Sequence, residues 1–108
     1  MNPRDLIRND ITIIKGDACF RDVIITGAEP EIIEVVYFTC SDLQISKNLE
    51  YDSERKCYCL RLESEETALY NVMVTDYDIT IKFFDDSYRT VLYRGKMSIM
   101  EKHNPVEV

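Results

Sequence analysis

The stretch DYDITIKFF (residues 76–84) alternates polar and apolar side chains as far as Phe83. Side chains two positions apart point to the same side of an extended chain. The apolar members of the stretch therefore share one face: Tyr77, Ile79, Ile81 and Phe83. This period of two predicts a β-strand that is buried on one side and solvated on the other.

The alternation resumes after a short polar turn. DDS (85–87) carries side chains that bond nearby backbone amides, and YRTVLYRGKMSIM (88–100) follows it. The two runs predict a hairpin. In the second run the inward positions are predicted to be Val91, Tyr93, Met97 and Ile99. Gly95 shares their parity, which indicates a bulge or a close backbone contact.

Five further strands are predicted upstream, at residues 10–16, 18–26, 32–40, 43–51 and 56–62. The apolar residues of 18–26 change phase near Arg21 and Asp22, which a bulge would explain. The β-branched segment 32–40 is expected to be central and the weaker segment 43–51 to be an edge strand. About seven strands with regular turn signals predict an all-β fold, an immunoglobulin-like antiparallel β-sandwich.

LESEETALY (62–70) resembles the letters that precede the second core cysteine of an antibody variable domain. Ser64 suits a helix N-cap, and Glu65 and Glu66 suit the first turn, so a short helical crossover is predicted near 64–70. Position 72 is Val, however, and the chain has no Trp to pack on a core disulfide. We therefore expect a sandwich without that disulfide.

Composition restricts the partners and the compartment. The 108 residues fit a single domain, 1–108, with loose arms at about 1–9 and 102–108. The chain has 13 Lys and Arg residues against 20 Asp and Glu residues. The resulting formal charge of −7 disfavours binding to nucleic acid. We expect no signal peptide and no membrane helix, because the N-terminus and the interior lack the apolar runs that these require. The four cysteines are expected to stay reduced in the cytosol.

No constellation of residues specifies a reaction, and we expect neither an enzyme nor a cofactor. His103 lies in the predicted C-terminal arm, which cannot hold an imidazole rigidly. The acidic cluster consists of Asp76, Asp78, Asp85 and Asp86. It lacks the alternating ligands and Gly of a calcium loop, and is interpreted as a solvated strand face and a turn.

Cys57 and Cys59 flank Tyr58 in a predicted strand and share a face with Arg61. Residues two apart in a strand point in parallel, so these thiols are not placed to bridge each other. Zinc held together with Cys19 or Cys40 is one alternative, but C-x-C is not a finger spacing. We interpret both cysteines as small buried or interface residues and predict no metal site.

Three elements in order resemble a known family. IIKGD (13–17), LESEETALY (62–70) and YDITIKFFDDSYRTVLYRGKMSI (77–99) are similar to elements of the N-terminal β-sandwich domain of phage baseplate upper proteins and related prophage tail domains. The resemblance covers about residues 14–101. It implies a structural attachment module that is made in the host bacterial cytoplasm, joins a virion, and assembles with itself or with a neighbouring tail subunit.

Interface residues are predicted at the edge strand, on the cysteine face and near the turns. They are Ile45, Leu49, Tyr51, Cys57, Cys59, Arg61, Tyr70 and Tyr88. An alternative function is a stand-alone carbohydrate- or ligand-binding sandwich that uses surface tyrosines and the acidic turn, because tyrosine combines a flat apolar ring with a polar tip.

Overall fold

The computed structural model describes residues 10–101 and shows an all-β fold. The predicted arms and His103 lie outside these residues. The strands are β1 (Ile11–Ile14), β2 (Cys19–Val23), β3 (Ile33–Cys40), β4 (Ile45–Asp52), β5 (Cys57–Leu62), β6 (Met73–Phe83) and β7 (Tyr88–Met100). A 3₁₀ turn occupies Pro30–Ile32, and one helical turn, α1, occupies Ser64–Thr67. In this part of the chain no helix has the length and apolar character to cross a bilayer.

The seven strands follow the order β1-β7-β6-β3-β4-β5-β2 and nearly close like a barrel around one core. β4 joins the two halves, since Ile45–Leu49 pairs with β3 and Glu50–Asp52 pairs with β5. The neighbours β7-β6-β3 and β4-β5-β2 are arranged as in an immunoglobulin sandwich. The predicted strand number and the all-β class are confirmed.

Two details of the predicted sheet are wrong. β1 pairs with β7 in parallel, from Ile11 opposite Met97 to Ile14 opposite Met100, so the sheet is mixed and not antiparallel. β4 lies inside the strand order, whereas an edge strand was predicted at 43–51. β4 is not an edge strand because it crosses from one half of the fold to the other and pairs on both sides. The short strands β1 and β2 lie at the ends of the order instead, where, among the described residues, β1 has only β7 as its partner.

The core is built from the alternating positions of every strand. Tyr77, Ile79 and Ile81 are buried as predicted, and the ring of Tyr77 stacks on Phe38 with centroids 5.0 Å apart. β3 runs between β4 and β6, which confirms its central position. Apolar burial on this scale is the main stabilising contribution in a domain of this size.

A bulge in the hairpin changes the phase of β7. Arg94 has φ 57°, and its N–H donates to Asp78 Oδ1 at 2.8 Å where the β6–β7 register shifts. Tyr93 lies on the side of the bulge nearer the hairpin turn. It points outward and is 70% exposed, so its predicted inward position is wrong. Gly95 is buried and pairs with Tyr77, which confirms the close backbone contact, one of the two alternatives predicted there. The bulge lies just before it in the chain.

The second strand contains no bulge. β2 pairs with β5 in unbroken register from Cys19 opposite Leu62 to Val23 opposite Tyr58. The bulge predicted near Arg21 is therefore wrong. The apolar pattern breaks there because β2 ends the strand order, and a terminal strand has more solvent-exposed positions than a central one.

The helical crossover forms where it was predicted, with a different cap. Glu63, and not Ser64, precedes the turn, and the Glu66 carboxylate accepts the Glu63 N–H at 3.0 Å. Thr67 is fully buried behind the turn. Its hydroxyl accepts the N–H of Gly16 at 3.0 Å and donates to the carbonyl of Asp17 at 2.9 Å. These bonds tie the crossover to the β1–β2 turn.

Candidate functional site

The loops at one end of the fold carry an exposed apolar surface. Segments 24–32, 53–56 and 84–87 connect β2 to β3, β4 to β5 and β6 to β7, so they gather at the same end. We define the loop-end surface by its apolar members, which line two adjoining depressions of about 420 and 440 Å³: Ile25, Pro30, Ile32, Tyr51, Phe83 and Phe84.

Ile32 lies at the centre of this surface, because it lines both depressions. It is 53% exposed, and Phe84 beside it is 64% exposed. The N–H of Phe84 donates to the Ile32 carbonyl at 3.1 Å, which joins the two loops through their backbones. Two large exposed side chains thus stand on backbones that are bonded to each other. Exposed apolar groups that cluster in this way are characteristic of binding surfaces.

The loops are anchored by further bonds. The guanidinium of Arg89 donates to the carbonyl of Thr26 at 3.1 Å. Asp85 Oδ1 accepts the N–H of Ser87 at 2.9 Å, which confirms the turn chemistry expected for residues 85–87. A preformed surface loses less conformational entropy on binding than a mobile one.

Tyr51 extends the loop-end surface along the rim of the barrel. It lies opposite Tyr58 across β4 and β5, with ring centroids 4.8 Å apart. Tyr58 is buried, whereas Tyr51 is 40% exposed. Burial raises the pKa of the Tyr58 phenol, and the buried ring packs against its exposed neighbour.

The rim of the two depressions is mainly acidic. The carboxylates of Glu29, Glu31 and Asp85 line them, against one ammonium group from Lys56. A partner with a basic rim around an apolar centre would complement this distribution. Two copies that met face to face through the same surface would bring like charges together.

The other predicted interface residues are distributed over the molecule. Ile45 and Leu49 are buried in the core, so their side chains are not offered to a partner. Tyr70 is half-buried against the core, and its burial raises its phenol pKa to about 12. Tyr88 is exposed but lines neither depression. Arg61 is exposed and stacks its guanidinium over Phe20.

Cys57 and Cys59 lie on the outer face of β5, as predicted. Cys57 is buried and Cys59 is half-buried. Asp22 stands beside them, and the three potential ligand atoms lie within 4.8 Å of one another. Burial raises the pKa of the Cys57 thiol, and its hydrogen bond to Cys59 and the charge of Asp22 act in the same direction. A raised pKa lowers the fraction of reactive thiolate at Cys57.

The predicted acidic cluster is divided between two places. Asp76 accepts a hydrogen bond from Arg94 Nε at 3.0 Å, and Asp78 accepts the Arg94 N–H. Asp86 pairs with Lys82 at 3.1 Å near the turn. These carboxylates are engaged with cations and backbone amides of the protein.

The loop-end residues Ile32 and Phe84 were missed by the sequence analysis. The signal was available, because Ile32-Ile33 and Phe83-Phe84 are adjacent apolar pairs. Only one member of each pair can fit the alternating inward positions of the neighbouring strand, so the other is expected at the surface. No protein-family model matches the chain, and no curated protein matches it.

Proposed function

We propose that this chain is a non-catalytic attachment module that docks a neighbouring protein subunit through its loop-end surface. The observation that carries the proposal is the adjacent pair Ile32 and Phe84, both more than half exposed and joined by a backbone hydrogen bond. An apolar centre surrounded by a polar rim is the usual arrangement of a protein interface.

The partner we propose is a tail or baseplate subunit, as the resemblance to baseplate upper proteins implies, which makes the chain a virion component. The immunoglobulin-like strand arrangement agrees with that resemblance. The excess of carboxylates at the rim favours a partner whose own rim is basic. It disfavours symmetric self-association through the same surface.

The test is co-expression of the tagged chain with the products of its neighbouring genes, followed by measurement of co-purification and affinity. Ile32→Ser and Phe84→Ser are each expected to weaken binding by about tenfold or more, as at an interface hot spot. Val74→Ser is the matched control, because Val74 is 65% exposed at the far end of β6. Rising salt should weaken the complex.

Binding that is insensitive to both loop-end substitutions would overturn the docking surface, and the absence of any tail-protein partner would overturn the attachment role. Light scattering on the purified chain supplies a further check. If the chain forms a homo-oligomer that Phe84→Ser dissociates, the partner on the loop-end surface is a second copy of the chain and not a different subunit.

A second candidate function is carbohydrate binding at the depression beside Tyr51. The exposed ring of Tyr51 lines it together with Glu29 and Lys56, which combines a stacking surface with hydrogen-bonding groups. Glycan-array binding that is lost in Tyr51→Ala and kept in Tyr88→Ala would support this function, because Tyr88 lies outside the depression. Equal loss in both variants, or no binding, would reject it.

A further inference from the structure

The outer face of β2 and β5 brings two thiols and a carboxylate together. Cys57 and Cys59 are two residues apart in β5, so both side chains leave the same face. Asp22 on β2 is the direct cross-strand partner of Cys59, which places it on that face as well. The Sγ atoms and a carboxylate oxygen all lie within 4.8 Å of one another.

This group differs from an ordinary surface cluster in its burial. Cys57 is only 3% exposed, although it lies on the outer side of the strand. Cys59 is half-buried, and the side chain of Asp22 is 47% exposed. The arrangement is closed at Cys57 and open at Asp22, so a small ion could enter from the solvent side.

A positive group of the protein already lies across the opening. The guanidinium of Arg55 contacts Asp22 Oδ2 at 2.6 Å, Asp52 Oδ2 at 3.0 Å and Cys59 Sγ at 3.3 Å. The side chain comes from the turn between β4 and β5 and is 56% exposed. It can therefore swing into water without disturbing the core. The position therefore suits a cation. The Arg55 guanidinium occupies it, at the end of a flexible side chain.

We propose that Asp22, Cys57 and Cys59 bind a thiophilic divalent cation such as Zn²⁺, and that Arg55 competes with the metal for this position. Thiolate sulfur selects Zn²⁺ and related ions, whereas Ca²⁺ and Mg²⁺ prefer a shell made entirely of oxygen. Three protein ligands with an open fourth position are a recognised arrangement for Zn²⁺.

The fourth ligand is available from β4 or from water. Glu50 is the cross-strand partner of Cys59 on the side opposite Asp22, and Asp52 is the partner of Cys57. Both carboxylates leave the same face of the sheet as the thiols. When the metal displaces Arg55, the guanidinium can keep its contact with Asp52.

The charges balance around such a site. The two thiols release their protons to solvent on binding, because the metal ligand is the thiolate. Two thiolates and one carboxylate carry three negative charges against the two positive charges of the metal. The remaining negative charge faces the exposed guanidinium of Arg61, which lines one surface depression together with Asp22 and Cys59.

The test is titration of the reduced full chain with Co²⁺ and then Cd²⁺, followed through visible d–d bands and ultraviolet thiolate-to-metal bands. We expect saturation at one ion per chain. Cys59→Ser and Asp22→Asn should each weaken binding by at least about tenfold. Cys19→Ala is the matched control, since Cys19 is a free buried thiol on the neighbouring strand and should leave the affinity unchanged.

Arg55→Gln separates this site from a nonspecific thiol complex. Removal of the competing cation should tighten binding by about threefold, the effect of losing one exposed ion pair. Circular dichroism establishes that each variant is folded. The proposal is overturned if saturable binding is absent, if Cys59→Ser binds as well as the unmodified chain, or if Arg55→Gln weakens binding.

Discussion

Gly95 lies directly opposite Tyr77 in the β6–β7 pairing, and the phenol ring fills the space that a side chain at Gly95 would need. A Cβ built on Gly95 would stand 2.6 Å from Cζ of Tyr77. Tyr77 is 3% exposed and stacks on Phe38, so its ring cannot retreat into water. The close approach of backbone to ring therefore fixes glycine at this position.

Gly95→Ala is expected to destabilise the domain by about 1–3 kcal/mol, the usual cost of forcing extra volume into a packed core. Urea unfolding measures the change. Lys96→Ala is the control at the next, exposed position and should remain within about 0.5 kcal/mol of the unmodified chain. Combining Gly95→Ala with Tyr77→Leu should cost less than the sum of the two single changes, because the smaller side chain relieves the clash. Strict additivity would contradict this contact.

Thr67→Val tests the connection between the crossover and the β1–β2 turn. The substitution removes the hydroxyl that accepts the Gly16 N–H and donates to the Asp17 carbonyl. Both backbone groups lose that hydrogen bond. We expect a loss of about 2–3 kcal/mol in the free energy of unfolding. Thr67→Ser keeps the hydroxyl and should lose only about 1 kcal/mol through the missing methyl group. Equal losses in the two variants would show that the bonds contribute nothing.

Glu66 predicts a specific dependence of stability on pH. Its pKa lies below the ordinary value of 4.5, because Lys47 at 2.5 Å and the N–H of Glu63 stabilise the carboxylate. A carboxyl with a lowered folded-state pKa adds stability above its unfolded-state pKa. That stability is lost as pH falls through the folded-state pKa. Glu66→Gln should therefore cost up to about 1 kcal/mol at pH 7 and nothing at about pH 2.

The measurement for Glu66 is denaturant unfolding of both chains across the acid range. Glutamine retains an oxygen that can accept the Glu63 N–H, so the comparison isolates the charge. Glu65→Gln serves as the control, since Glu65 is exposed in the same helical turn. A cost for Glu66→Gln that persists unchanged in acid would contradict the assignment to the ion pair.

Lys56 carries backbone strain that a substitution should relieve. It stands in the turn between β4 and β5 with φ 55°, where a side chain costs about 1–2 kcal/mol. Lys56→Gly removes that cost and adds about 0.5–1 kcal/mol of chain entropy, so we expect a net gain of about 0.5 kcal/mol. Lys15→Gly, at a position whose own φ is not positive, should lower stability. Thermal unfolding of the two variants should therefore shift in opposite directions.

The candidate surfaces could be predicted only in part. The sequence placed Cys57 and Cys59 on one outward face, because a period of two is a local property of an extended chain. It did not place Asp22 beside them, since that neighbour depends on the pairing of β2 with β5. Ile45 and Leu49 were chosen as edge residues, and their burial follows from the position of β4 inside the strand order.

What the sequence determined by itself is the set of strands, the inward positions of β6, the Asp85–Ser87 turn and the helical crossover after β5. Each depends on side-chain spacing and backbone preference within a few residues. Tertiary structure decided the parallel pairing of β1 with β7, the bond from Thr67 to Gly16, and the meeting of Ile32 with Phe84. These contacts join distant segments, and the burial of one shared core selects them, which no local period encodes.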